Sequence, residues 1–572
     1  MSLSSANRSV QLLVRLLDPK NATEPMVDFG IQKPEIPLGR SSQPLPREIP
    51  EREGIPSRQI SDFLQALEQD PTLGMHSVLI LRHGKVLCEA AFGAQLTELP
   101  RMTFSACKSI TALAIGLLMD DGLLSPSDKL ADLFAADIGP LAKRLMKELT
   151  VAHLLSMQTG NLFNEVCAMT ETDWIHGFCL SPSLTDPRDK FQYNSLNTYM
   201  LAVLVTRITG KSLTEFLTER LFAPMGIADF YWEVCPQGIE KGGWGLYMKA
   251  EDLAKLGQLV LDRGNWSGRQ LISAEFLEQA TQAHSQVPEG YGDYNYGWQM
   301  WVGRHENTVL FNGMLGQNVL CFRDSGIVVV SHAGNSETFQ QSNYFKLVSQ
   351  FFGGTFPLRL PRNLQAEREL KRTVEALSDC RSAVPTREQF LTFAGRRFVS
   401  DDPRAASAGL LPLALQAVEN CYSKGLEALT VSGTRTQVSL FYEEQDQYYH
   451  VIAGVKEPVY QILNFRGNEF RVAAQARFTH DEDENPVLRV QIDFLETPCS
   501  RILKLYLLPT GPLLRQQETP NMDYLLDTMV LQVSGMAPKA LMNSLLGSTD
   551  ADYLHWKMDQ IFDPLLKLKE LK

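Results

Sequence analysis

Residues 103–111, Thr-Phe-Ser-Ala-Cys-Lys-Ser-Ile-Thr, constrain this 572-residue chain more than any other stretch. Ile110 to Met119 is an apolar run of helical length, and Gly122 stands where a helix C-terminal glycine belongs. Ser105 therefore falls in the first turn of a buried helix. Lys108 follows three residues on, so the two side chains share one helix face. In a dry pocket burial disfavours the ammonium, the lysine pKa falls, and the amine can take the serine proton. The helix N-terminus adds backbone N–H groups for an oxyanion. Ser-x-x-Lys alone recurs by chance on solvated helices, so its weight depends on what else the chain carries.

The length allows two or three domains. A hydrophobic fraction of 44% and a charged fraction of 21% fit a globular protein. The net charge of −12 argues against a nucleic-acid partner. No apolar run reaches the ~20 residues of a membrane span. Nine cysteines, scattered from Cys88 to Cys499 without paired spacing, favour reduced thiols. With no Cys-x-x-Cys or His-rich pattern, neither a metal nor a cofactor is expected. Residues 1–18 lack the basic start, apolar core and small-residue cleavage site of a signal peptide. A cytoplasmic location is expected, with secretion left open should a leader have preceded Met1.

Taken in order, residues 34–57 are proline-rich, and 1–57 reads as an N-terminal arm, with a short helix over 10–17. Ser57 to Leu67 has helical apolar spacing. Ser77 to Ala91 reads as two strands about His83-Gly84. Thr150 to Gly160 is a capped helix with a glycine stop, and Tyr193 lies on a loop before the apolar helix 200–208. Residues 294–335 form a meander with strands at 296–302, 308–311, 316–322 and 327–332. Residues 356–386 read as a linker. Beyond it, 387–424 looks helical or mixed, and seven alternating segments from Leu429 to Leu508 predict a β-barrel or sandwich. Leu554 to Leu571 has the wide apolar face of an amphipathic helix, suited to docking on its own domain or on a second subunit.

Ser105-x-x-Lys108, Tyr193 ahead of a helix, and a glycine-bearing strand further on resemble the serine β-lactamase and penicillin-binding-protein superfamily. The closer resemblance is to class C β-lactamases, D-Ala-D-Ala carboxypeptidases and β-lactamase-fold esterases. Leu149-Thr150-Val151-x-His153-Leu154-Leu155-Ser156-x-x-Thr159-Gly160 and Gly245-Leu246…Asp252-Leu253-Ala254 are similar to further family segments. The resemblance implies an α+β fold over 58–355, a β-lactamase/transpeptidase-like antiparallel sheet flanked by helices. It implies a C-terminal all-β domain over 387–572 like the lipocalin-like appendages of some members, which carry a segment similar to Phe494-Leu495-Glu496-Thr497-Pro498.

The same resemblance implies Ser105 as acylated nucleophile, Lys108 and Tyr193 as proton shuttles, and the amides of Ser105 and Met314 as the oxyanion hole. Two departures bear on substrate. The usual Tyr-x-Asn is Tyr193-Asn194-Ser195 here, with Asn197 as the substitute. The usual Lys-Thr-Gly or His-x-Gly is Phe311-Asn312-Gly313, assigned to substrate binding but lacking a cation. His332-Ala333-Gly334 also fits His-x-Gly and stays as the alternative. A serine hydrolase of a small ester, amide or peptide is expected, its partner a small-molecule substrate, with homo-oligomers allowed. The competing readings are a non-catalytic binding homologue and a true β-lactamase or carboxypeptidase.

Overall fold

The computed structural model describes residues 41–183, 190–336, 340–400, 406–520 and 560–571, together with 8–9, 11–12, 15, 25–30, 32–33 and 186. The described residues form two compact units, one within 36–92 and 96–378, the other within 4–35, 93–95 and 379–572. No helix among them is long and apolar enough to cross a membrane.

In the first unit, helix α1 (Ser57–Gln69) leads into a hairpin of β1 (Met75–Arg82) and β2 (Lys85–Ala91). His83 and Gly84 both have positive φ, 48° and 75°, the combination that a tight two-residue turn requires. Strands β3 (Tyr294–Tyr296), β4 (Trp301–Gly303), β5 (Thr308–Gly313), β6 (Gln317–Phe322) and β7 (Ile327–Ala333) complete a seven-stranded sheet in the order β2-β1-β7-β6-β5-β4-β3. Every pairing in it is antiparallel. The single strand expected over 296–302 is a hairpin. Gly297 N donates to Met300 O at 2.8 Å, and the Gln299 side chain reaches the carbonyls of Leu154 and Leu155.

One sheet face packs on Ile60, Phe63, Leu64 and Leu67 of α1 and on Tyr344, Val348 and Phe352 of a helix over Asn343–Phe352. The other carries helix Ala250–Leu261, where Gly257 lets the backbone lie close. A Cβ there would sit 2.8 Å from Val319 and 2.9 Å from Val328. Helix α2 (Cys107–Asp120) is buried on all sides from Cys107 to Leu118, as its uninterrupted apolar run demands. Helix α3 (Ser195–Thr209) packs beside it and is buried from Ser195 to Val205.

The 356–386 region is more than a linker. Leu364–Leu377 is a helix capped by Asn363, and its Ala366, Leu370, Thr373 and Leu377 stripe is buried. The 4/3/4 spacing of these residues was hidden by the charges between them. The single arm over 1–57 is also corrected. Residues 41–56 run over the first unit, with Arg47 bridged to Val86, whereas the described residues 25–33 belong to the second. There Lys33 Nζ lies 2.8 Å from Glu496 Oε2, both side chains 1% exposed. The helix expected over 10–17 falls largely outside the described residues.

The second unit is a ten-stranded sheet rolled on itself, antiparallel except at its closing pair. Its strands are β8 (Arg396–Ser400), β9 (Leu426–Gly433), β10 (Gln437–Glu444), β11 (Tyr448–Gly454), β12 (Val459–Phe465), β13 (Asn468–His480), β14 (Pro486–Phe494), β15 (Ser500–Leu508), β16 (Gly511–Thr519) and β17 (Leu565–Leu571). A pairing of Gly454 with Gln475 closes nine of them into a barrel, with β12 alongside β13. Val438, Leu440, Tyr442 and Glu444 alternate inward as a period of two requires. The terminal helix is corrected over 565–571. That segment is β17, held between β8 and β16, with Leu566 and Leu568 buried. Barrel closure rewards backbone pairing on both sides, and this outweighs the helical spacing of the leucines. Residues 554–559 lie outside the described set.

His332 on β7 is 1% exposed, with Nδ1 3.0 Å from Gln317 Oε1 and no partner for Nε2 among the described residues. Burial, aided by the Arg101 charge, pushes its pKa down to about 3. The unfolded chain binds this proton more readily, so the stability is complete above about pH 6.5 and is lost as pH falls toward 3. Replacing His332 with Gln is expected to flatten the decline of the urea midpoint between pH 6.5 and 4. An unchanged slope would contradict this.

Candidate active site

Ser105 lies in a 3-10 turn, Phe104–Ala106, that runs straight into α2. Phe104 just before it has φ +45°, an unusual conformation for a side chain of that size, of the kind that costs about 1–3 kcal/mol and concentrates at functional sites. The turn is wedged against the end of β5. A Cβ on Gly313 would lie 2.2 Å from Thr103 O, so only glycine allows this approach.

Lys108 is 2% exposed. Its Nζ is 2.8 Å from Ser105 Oγ, 2.8 Å from Ser195 Oγ and 2.7 Å from Gly243 O. Burial pushes its pKa down to about 8. A carbonyl only accepts, so one amine hydrogen is committed to Gly243. If a second goes to Ser195, a neutral amine has its lone pair left for the Ser105 hydroxyl. The Gly243 carbonyl is brought in by a tight loop. A Cβ on Gly243 would meet Ser195 O at 2.7 Å, and Gly242 O accepts from Thr111 Oγ1 at 2.8 Å. Cys107 faces away and bonds Gly242 O, and burial pushes its thiol up to about 12.

Tyr193 precedes the N-cap of α3. The cap, Asn194, accepts from Leu196 N at 2.9 Å and donates to the carbonyls of Asn161 and Phe163. The Tyr193 phenol lies close enough to Ser105 to interact with it, and its ring centroid lies 5.0 Å from Lys108 Nζ. Trp301 stacks on the ring at 5.9 Å and Tyr296 meets it edge-on at 6.4 Å. Burial drives the phenol pKa far upward, so it keeps its proton at ordinary pH.

The structure thus brings Ser105, Lys108 and Tyr193 together. It does not bring Asn197 there. That side chain is fully buried, accepts from Thr159 Oγ1 at 2.6 Å, and donates to Met157 Sδ. The residue beside Lys108 is Ser195. Two helical positions turn the side chain by about 200°, so Ser195 and Asn197 face opposite ways. The signal for Ser195 was its place, third in Tyr193-Asn194-Ser195, where Asn is usual. Phe311 is fully buried and offers no surface to a ligand. Asn312 is 6% exposed with no side-chain hydrogen bond among the described residues, and Met314 after it is half-buried. His332 is held inside the sheet by Gln317, and its strand is separated from β5 by β6. Among the described residues no three His, Cys, Asp or Glu side chains gather as a metal site.

Ser195→Ala removes one neutral hydrogen bond to Lys108, worth about 1 kcal/mol, and is expected to lower kcat/KM on an activated ester about fivefold with little change in thermal midpoint. Asn197→Ala is expected to do the reverse, lowering the midpoint while the folded enzyme keeps its rate. Activity assays paired with thermal melts check both.

Residues 63–342 match the family model described as Beta-lactamase. A 6-aminohexanoate-dimer hydrolase from Paenarthrobacter ureafaciens is 25% identical over 321 residues, 51% of this chain and 80% of its own length. Among solved structures, a penicillin-binding protein from Bacillus halodurans aligns with TM-score 0.40 and 18% identity, over 50% of this chain and 98% of its own. EstCE1, a hydrolase with promiscuous acyltransferase activity, aligns with TM-score 0.43 and 15% identity, over 52% and 99%. Residues 63–342 thus carry the Beta-lactamase family match, and the chain is a serine hydrolase.

Proposed function

We propose that the protein acts through an acyl-enzyme at Ser105 on a small, uncharged ester, amide or peptide-like substrate. The carrying observation is the Lys108 amine, buried and 2.8 Å from Ser105 Oγ. Neutral Lys108 takes the Ser105 proton as Oγ bonds to the substrate carbonyl carbon. The carbonyl oxygen becomes an oxyanion facing the amides of Ser105 and Met314. As the bond to the leaving group breaks, the Tyr193 phenol gives that group a proton and regains one from the Lys108 ammonium. Water then attacks the acyl carbon by the reverse proton traffic, releasing the acid and restoring the Ser105 hydroxyl. Asn312 is suited to bond the acyl portion.

The choice of uncharged substrate rests on charge. Strand β5, Thr-Val-Leu-Phe-Asn-Gly, holds no lysine or arginine to meet a substrate carboxylate. The carboxylate of Glu165 acts on Lys108, Tyr193 and Tyr291, adding negative potential to the site. The relative named for a 6-aminohexanoate dimer brings linear amides into the panel to test.

The test is kcat/KM for p-nitrophenyl butyrate, a linear amide and nitrocefin, in wild type and Ser105→Ala. Turnover of the ester is expected in wild type, with a loss of about 10³-fold or more in Ser105→Ala. Nitrocefin, lacking a cationic partner for its carboxylate, is expected to be about 10- to 100-fold slower than the ester. Fast nitrocefin turnover would make the protein a β-lactamase. Tight ligand binding with no modification of Ser105 would make it a non-catalytic homologue.

A further inference from the structure

A carboxylate bonded to the site is left unused by the proposed reaction. Glu165 opens the short helix Glu165–Ala168, whose N-cap is Asn164. Its Oε1 accepts from the Ser195 amide at 2.8 Å. Its Oε2 is shut off from solvent and has no hydrogen-bond partner among the described residues. A carboxylate oxygen buried without a partner is costly, and folded proteins keep few of them. The residue it grips is the one whose hydroxyl lies 2.8 Å from Lys108. Glu165, Ser195, Lys108 and Ser105 therefore form one connected line, running from a negative charge through a helix N-terminus to the amine and the hydroxyl. Asn194 bonds the neighbouring amide of Leu196, so the first turn of α3 is held by two side chains from outside the helix.

We infer that Glu165 is a positioning residue: its bond to the Ser195 amide holds the Ser195 hydroxyl against Lys108 and ties a carboxylate to the amine through that one residue, setting the pH at which Ser105 becomes reactive. This rests on Lys108 being the base for Ser105. The groups around Lys108 narrow the source of the charge. Ser105 and Ser195 are neutral, Gly243 presents a carbonyl, and the Cys107 thiol is held protonated by burial. The Tyr193 and Tyr291 phenols also stay protonated. Glu165 is left as the anion acting on the amine, and its action raises the Lys108 pKa against the larger lowering by burial. Without it the amine would deprotonate at lower pH but would be less firmly placed.

The experiment follows the Lys108 ε-carbon by NMR across pH 6–11 in protein made with 13C-lysine, the resonance being assigned by its loss in Lys108→Ala. In parallel, the plateau rate of Ser105 acylation by a fluorophosphonate is measured. In Glu165→Gln, whose amide oxygen still accepts from the Ser195 amide, the Lys108 midpoint is expected to fall by roughly half a unit to one unit while the plateau rate stays within about twofold of wild type. Glu165→Asp keeps the charge but is too short to hold the Ser195 amide, so its midpoint should stay near wild type while its rate falls. A Glu165→Gln protein with the wild-type midpoint overturns the inference. Should Glu165→Gln not fold, a Glu165→Asp protein with the full wild-type rate overturns it instead. If wild-type Ser105 never acylates yet the Lys108 midpoint still moves with Glu165, the acyl-enzyme proposal falls while the role of Glu165 in the charge of Lys108 stands.

Discussion

Everything about the site depends on taking one lysine amine out of water. Lys108 is almost wholly buried, yet its counter-groups are two hydroxyls and a carbonyl rather than a carboxylate within bonding distance. A buried ammonium is expensive unless it is paired, and here the relief comes from losing the proton. That is how burial alone turns an ordinary side chain into a base at near-neutral pH. An acidic partner in direct contact would stabilise the ammonium and undo the effect. Glu165, one residue removed through Ser195, modulates it instead.

The fold supplies the burial through close backbone approaches. Gly313 brings the end of β5 against the segment before Ser105, Gly243 lets a loop carbonyl reach Lys108, and Gly257 seats a helix on the sheet. Helix α2 passes through the middle of the unit with its face from Cys107 to Leu118 fully enclosed. The aromatic layer of Tyr193, Tyr296 and Trp301 covers the side where the phenol enters. The hydroxyl, amine and phenol are thus held by elements that pack for ordinary hydrophobic reasons.

How much of this could be read from the residues follows from the range of each signal. The α2 helix, the His83-Gly84 turn and the seven barrel segments between Leu429 and Leu508 are written in local periodicity, and they form as expected. Strand β17 is not, because Leu565, Leu566 and Leu568 satisfy helical spacing as well as alternation, and only the gap between β8 and β16 decides. Helix Leu364–Leu377 was masked by its charged faces. The family resemblance pointed to Ser105, Lys108 and Tyr193, but residue type favoured Asn197 while motif position favoured Ser195, and the rotation of α3 decides for Ser195. Glu165 had no signal at all. A lone glutamate at the start of a short helix becomes part of the site only through a bond to a helix that begins thirty residues later in the chain.

The most direct measurement is the occupancy of Ser105 after brief exposure to a fluorophosphonate, read by peptide mass spectrometry from pH 6 to 10. If Lys108 is the base, modification should fall on Ser105 and rise through a single midpoint near pH 8, with no decline at the upper end because the Tyr193 phenol keeps its proton. Modification spread over other hydroxyls, or a Ser105 rate that ignores pH across this range, would contradict a buried neutral amine as the centre of the chemistry.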